Sequence, residues 1–181
     1  MARRIILITG MPGSGKTTLT SFAGEKGYYI VTMGDVIRDL AEEMGLEPTQ
    51  ENLGHVAREI RREEGPEAVA RECAYKLRDM EGKLVVDGIR SLEEVEAFKE
   101  TLDDAVLIAV HASPRTRFLR LRDRYRSDRP SDWGAFHQRN KWELSFGLGS
   151  AIAMADHMIV NEATLKDLEK SFKGLLERLE K

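Results

Sequence analysis

The chain has 181 residues, 41% of them hydrophobic and 33% charged, with a formal net charge of −3 at pH 7. That length and apolar content suffice for one packed α/β domain over residues 1–181, so neither disulfides nor a structural metal is needed to hold it. The acidic balance argues against the broad basic surface of a dedicated nucleic-acid binder, so no nucleic-acid partner is expected and any cationic site must be local.

The single cysteine, Cys73, leaves no partner for an internal disulfide and reads as a small buried apolar residue of a reducing cytosol. His55, His111, His137 and His157 are scattered, with no Cys or carboxylate at metal-ligand spacing, and read as packing or surface residues. No stretch approaches the ~18 apolar residues of a membrane span. The N-terminus leads within a few residues into an apolar run too short for a signal-peptide core. A soluble, cytoplasmic protein without a membrane partner is expected.

The first strand, Arg4 to Thr9, carries the apolar run Ile5 to Ile8 and ends in Gly10-Met11-Pro12-Gly13-Ser14-Gly15-Lys16-Thr17, with a helix from Thr17 onward. Glycines let the backbone curl so that successive N–H groups point at an anion, and the helix start adds unpaired donors and its dipole. These eight residues are expected to cradle the triphosphate of ATP. Lys16 would reach the β- and γ-phosphates as a catalytic charge, and the Thr17 hydroxyl would ligate Mg²⁺.

The second strand, Tyr28 to Val31, leads into Met33-Gly34-Asp35-Val36-Ile37-Arg38 at the head of a helix from Gly34 to Met44. Asp35 and Arg38 fall on one side of its first turn. Helices follow at Gln50 to Arg62 and Pro66 to Met80. The roughly fifty residues between the second and third strands exceed the needs of one crossover helix, so about 34–80 is read as an acceptor-binding insertion. Its arginines, Arg58, Arg61, Arg62, Arg71 and Arg78, alternate with glutamates and read mainly as a solvated face.

The third strand, Leu84 to Val86, ends in Asp87-Gly88-Ile89-Arg90. Asp87 is the candidate second ligand of Mg²⁺, directly or through water. Arg90 and Arg38, from two strand ends, are expected to converge on an anionic acceptor, since planar guanidinium forks match phosphate oxygens. Ser91-Leu-Glu-Glu94 is a capping box opening a helix from Leu92 to Thr101.

After a fourth strand, Ala105 to His111, and a helix from Pro114 to Tyr125, seven arginines within 114–130 face only Asp123 and Asp128. Arg122 and Arg126, four apart, are the candidate lid arginines for the transferring phosphoryl group, with Arg129 next. The lid would span about 122–142, with hinge-like composition at Ser127 to Gly134. Trp133, Phe136, Trp142 and Phe146 read as packing of the lid helix in preference to base stacking. A fifth strand, His157 to Val160, precedes a helix from Leu165 to Glu180 whose Leu168, Phe172, Leu175 and Leu176 form a core face. The alternation of strands and helices implies a five-stranded parallel sheet in an α/β domain.

Together these segments resemble the P-loop nucleotide kinases, particularly adenylate kinase and dephospho-CoA kinase. Met33 to Arg38, Glu64-Gly-Pro66, Val86 to Glu94, Ala112-Ser-Pro114 and Glu143-Leu-Ser-Phe-Gly147 look like an uncharacterised, mainly archaeal family grouped with dephospho-CoA kinase. That likeness covers nearly the whole chain. It implies the three-layer P-loop NTPase fold, ATP binding and phosphotransfer. Met33 stands where adenylate kinases have a threonine contacting AMP, and Asp87 to Arg90 is one residue shorter than their Asp-Gly-x-Pro-Arg. Asp35 loosely matches the aspartate that dephospho-CoA kinases use as a base on a ribose hydroxyl. The expected activity is ATP- and Mg²⁺-dependent phosphoryl transfer to a small nucleotide-like acceptor held by Arg38 and Arg90, with Lys16, Asp35, Arg122 and Arg126 in catalytic roles. The alternative is a nucleotide-dependent switch or slow ATPase acting on a macromolecule.

Overall fold

A computed structural model describes residues 4–102, 104–124 and 129–180. The strands β1 (Arg4–Thr9), β2 (Tyr29–Thr32), β3 (Lys83–Ile89), β4 (Ala105–His111) and β5 (His157–Val160) form one sheet in the order β2-β3-β1-β4-β5, and every neighbouring pair is parallel. Strands buried on both faces need apolar residues at every position. β1 accordingly has Ile5, Ile6, Leu7 and Ile8 all fully buried.

Alternation along the strands sorts the core into two. Ile5, Leu7, Leu84 and Val86 face one layer, where they pack with Val36 of α2 (Met33–Glu43), Cys73 and Leu77 of α4 (Ala68–Leu77) and Phe98 of α5 (Leu92–Thr101). Ile6, Ile8, Val85 and Ile108 face the other, with Leu19 of α1 (Lys16–Glu25) and Leu168, Phe172 and Leu176 of α9 (Leu165–Leu179). The expected apolar face of the last helix is thus the cover of this second layer.

The insertion between β2 and β3 holds α2, α3 (Gln50–Glu64) and α4. After β4 come α6 (Pro114–Arg122), α7 (Trp133–Ser145) and α8 (Leu148–Ala153). Several boundaries differ from the sequence reading. The helix expected from Pro66 begins at Ala68, with Gly65 and Pro66 in the preceding turn. α6 ends at Arg122, before the expected Tyr125, which lies outside the described residues together with Arg126. β3 runs on to Ile89 through an irregularity: Ile8 pairs with Asp87 but Thr9 with Ile89, leaving Gly88 as the extra residue at φ 103°. The bulge keeps the sheet paired while Asp87 sits at the carboxyl end of β3, beside β1. Among the described residues, no helix is long and apolar enough to cross a membrane.

Candidate nucleotide and acceptor site

The loop after β1 is fixed by close backbone approach. Gly10, Gly13 and Gly15 have φ of 148°, 82° and 109°. A Cβ at Gly10 would lie 2.4 Å from the Val110 carbonyl oxygen, and one at Gly13 would lie 2.8 Å from that of Arg117. A Cβ at Gly15 would meet Asn161 Nδ2, the same amide that donates to the Ser14 carbonyl at 2.8 Å. Strand β4, helix α6 and the residue after β5 therefore press on the loop from outside and hold its curl. Asn161 also accepts from Arg120, through its backbone carbonyl at 3.0 Å and its Oδ1 at 3.3 Å.

Lys16 opens α1 and donates to the Gly10 carbonyl at 2.6 Å and to that of Met11 at 3.4 Å. Burial pulls its ammonium below the usual lysine range, opposed by the nearby Asp87 and Glu143 carboxylates. Burial likewise raises Asp87, opposed first by Lys16 and then by the Gly88 N–H and Arg90. Asp87 Oδ1 and Ser14 Oγ are both buried without a hydrogen-bond partner. Orphaned polar atoms of that kind are costly unless a ligand completes them. A carboxylate oxygen and the hydroxyl of the exposed Thr17 are the kind of donors that would suit Mg²⁺ if phosphates and waters supplied the rest of its shell. Among the described residues there is no cluster of three or more acidic, His or Cys side chains that could hold a metal without such help.

A cavity of about 210 Å³ opens over the loop, walled by Gly13, Lys16, Thr17, Arg90, Arg124, Arg139 and Glu143 among others. Arg122, an expected lid arginine, is not in this wall; its Nε lies 3.4 Å from Asp123 on the surface. The end of α6 explains the shift: the helix stops at Arg122, and the turn that follows brings Arg124 to the cavity together with Arg139 of α7. The predicted Arg126 lies outside the described residues.

A second cavity of about 520 Å³ lies between the insertion and α7, walled by Ile37, Leu53, Trp142 and Phe146 and by Arg38, Arg58 and Arg90 among others. Arg90 lines both cavities. The expected convergence of Arg38 and Arg90 therefore takes place in the wall of this second cavity. Arg58, Arg61 and Arg62, read from sequence as a solvated face, line it too.

Asp35 is differently employed. It is the third residue of a capping box with Thr32, accepting from the Thr32 hydroxyl at 2.7 Å and backbone N–H at 3.3 Å, and its other oxygen pairs with Arg38. Both side chains are about half exposed.

The lid helix, given no bounds by the sequence, is α7, and the face it buries is Phe136, Asn140 and Glu143, two of the three polar. A search for apolar residues at helical spacing does not find such a stripe; the signal that could have found it is the i, i+4, i+7 spacing of one aromatic and two polar groups after the N-cap Asp132. Buried Arg117 links this face to the loop: its Nη1 donates to Pro12 O at 3.1 Å and to Asn140 Oδ1 at 2.8 Å, its Nε donates to Ala112 O at 3.1 Å, and its guanidinium lies over the Phe136 ring. Trp133 and Phe136 pack as expected for the lid helix, joined by Phe118, while Trp142 and Phe146 meet edge to face in the wall of the second cavity. Glu143 is buried, with Arg90 Nε 3.9 Å from its Oε2.

The strand order, the parallel pairing and the glycine cradle at the end of β1 define an α/β protein with the P-loop kinase fold. Solved structures agree across nearly the full chain. TT1252 from Thermus thermophilus superposes with a TM-score of 0.63 at 20% identity, covering 99% of both chains. Shikimate kinase from Bacteroides thetaiotaomicron superposes at 0.63 and 16% identity, covering 96% and 98%. A gluconokinase from Sinorhizobium meliloti gives 0.60 at 14% identity, covering 97% and 93%.

The family profile described as an AAA domain matches residues 6–140. A UPF0200 protein of Hyperthermus butylicus is 50% identical over 178 residues, covering 98% of this chain and 95% of its own, and one of Thermococcus gammatolerans is 41% identical over 180, covering 97% and 95%. The chain belongs to this AAA-domain family and, within it, to the UPF0200 proteins. Those relatives carry no dephospho-CoA kinase name, so only the broader likeness to P-loop kinases is matched.

Proposed function

We propose that the protein is an ATP- and Mg²⁺-dependent small-molecule kinase that transfers the γ-phosphoryl group to a nucleotide or nucleotide-like acceptor. The observation that carries this reading is Arg90, one guanidinium in the walls of two adjoining cavities, one over the phosphate loop and one over the insertion. A switch ATPase needs the first cavity only.

The loop amides from Gly13 to Thr17 would hold the phosphates, and Thr17 and Asp87 would hold Mg²⁺, which when bound neutralises charge on the β- and γ-oxygens. Lys16 would exchange the Gly10 and Met11 carbonyls for phosphate oxygens. Its lowered proton affinity rises again beside that charge, so the ammonium form is kept. Arg38, steered by Asp35, and Arg90 would fix the acceptor's anionic group, and the apolar wall of Ile37, Leu53, Trp142 and Phe146 would receive its body. Arg124 and Arg139 take the place expected for Arg122 in stabilising the phosphoryl group in flight. Catalysis is then positioning and charge neutralisation in a site shielded from water.

The test is a phosphotransfer screen with MgATP against nucleoside monophosphates, dephospho-CoA, shikimate and gluconate, with Lys16→Ala as the blank. Transfer to one acceptor class that disappears in the blank supports the reading. Hydrolysis stimulated by a protein or RNA, with no transfer to any small acceptor, replaces it with the switch.

A further inference from the structure

We propose that Glu143 is the catalytic base of this site, and that the group it deprotonates is an acceptor hydroxyl. The inference deepens the kinase reading and rests on it.

Two acids stand close to Lys16, and they differ in what else they do. Asp87 sits near the carboxyl end of β3, has a buried oxygen without a hydrogen-bond partner, and is not in the lining of the phosphate cavity. Glu143 comes from the opposite wall, on α7, and among the described residues it is the one acid in the lining of the phosphate cavity. Its place along the helix is the argument. Trp142 and Phe146, one residue before and three after, line the acceptor cavity, while Glu143 lines the phosphate cavity. Arg90 lines both and has its Nε 3.9 Å from Glu143 Oε2. The carboxylate therefore stands at the seam between donor and acceptor, where the transferred group must cross.

A buried acid repels the phosphates that the kinase reading brings to this cavity. Among the described residues it is also the one carboxylate in the lining able to take a proton from a neutral hydroxyl. A phosphate acceptor arrives already ionised and has no use for a base, whereas a hydroxyl must lose its proton as it attacks. In the step, the acceptor oxygen forms a bond to the γ-phosphorus and the bond from that phosphorus to the β,γ-bridging oxygen breaks. Its electron pair leaves with ADP, and the hydroxyl proton passes to the Glu143 carboxylate, which returns it to water. Asp35, the base expected from sequence, is about half exposed and committed on both oxygens, to Thr32 and to Arg38.

Water is the smallest hydroxyl acceptor and serves as the probe. Single-turnover release of phosphate from limiting MgATP at saturating protein is measured for the full-length chain, Glu143→Gln and Glu143→Asp, alongside calorimetric binding of ATP with and without Mg²⁺. The expected result is a loss of roughly 10²-fold or more in Glu143→Gln, the scale of general-base catalysis, an intermediate rate in Glu143→Asp, and MgATP affinity unchanged or tighter in both.

Glutamine keeps the size of the side chain and an oxygen facing Arg90 but is no base, so a Gln variant as fast as the original chain, at whatever absolute rate, would mean that Glu143 only positions Arg90, and overturns the proposal. Loss of the Mg²⁺ dependence of ATP binding in Glu143→Gln makes it a metal ligand and overturns the proposal equally. Failure of the original chain to bind MgATP is a separate result that removes the kinase reading itself.

Discussion

The two halves of the cleft are built by opposite means. Over the phosphate loop the geometry is set by backbone: three glycines at positive φ, each with a carbonyl or an amide pressed where a side chain would begin. Over the insertion it is set by side chains, arginines and aromatics drawn from α2, α3, α7 and the turn after β3, and several of those arginines are held by surface ion pairs. Exposed pairs are individually weak and exchange partners readily. A backbone cradle accepts one ligand shape, while a wall of side chains can change its acceptor by substitution without disturbing the fold.

The largest effect should come from the nucleotide half. Lys16→Ala should lower phosphoryl transfer by on the order of 10³-fold, as expected when a preorganised charge on the transition state is removed, with the far-ultraviolet spectrum unchanged. Gly10→Ala is next, because its Cβ meets the Val110 carbonyl of a central strand, which has little room to retreat. Strain of about 1–3 kcal/mol should lower Tm by several degrees and weaken MgATP by at least about tenfold, both readable by calorimetry. A Gly10→Ala protein that melts and binds as the original does would erase the contrast drawn between the halves.

The next comparison sharpens it. Arg90→Ala should weaken MgATP binding by about tenfold, a typical loss for a charged hydrogen bond, whereas Arg38→Ala should leave MgATP affinity untouched and affect only the acceptor. Equal effects of the two on MgATP would mean that the cavities are not separate in function. The smallest effect concerns neither half. Cys73 is buried in the layer of α2, α4 and α5, and burial pushes its thiol up to about 12. At pH 8 it is therefore protonated as well as enclosed, and iodoacetamide should modify it only at the rate at which the chain opens.

The fold was legible because its signals are local. The apolar runs of β1 and β4, the glycine spacing and the cap at Ser91 each depend on residues within a few positions of one another. The nucleotide half was legible for the same reason. The acceptor half was legible only in its strand-end residues, Arg38 and Arg90. Arg58 was read as part of a solvated face, because the wall it belongs to is assembled from four segments distant in sequence. Arg122 was favoured over Arg124 because the helix was read on to Tyr125, and charge spacing alone does not show that it stops at Arg122. Glu143 stayed out of the expected site because the buried stripe of α7 is mostly polar.

That stripe has a mechanical consequence. Arg117 ties Asn140 to Pro12, so helix α7 is clamped to the phosphate loop near its middle, while Trp142 and Phe146 at its far end form a wall of the neighbouring chamber. The guanidinium that braces the loop is thus also the one that sets where the helix behind the aromatic wall stands, and removing it should loosen both chambers at once.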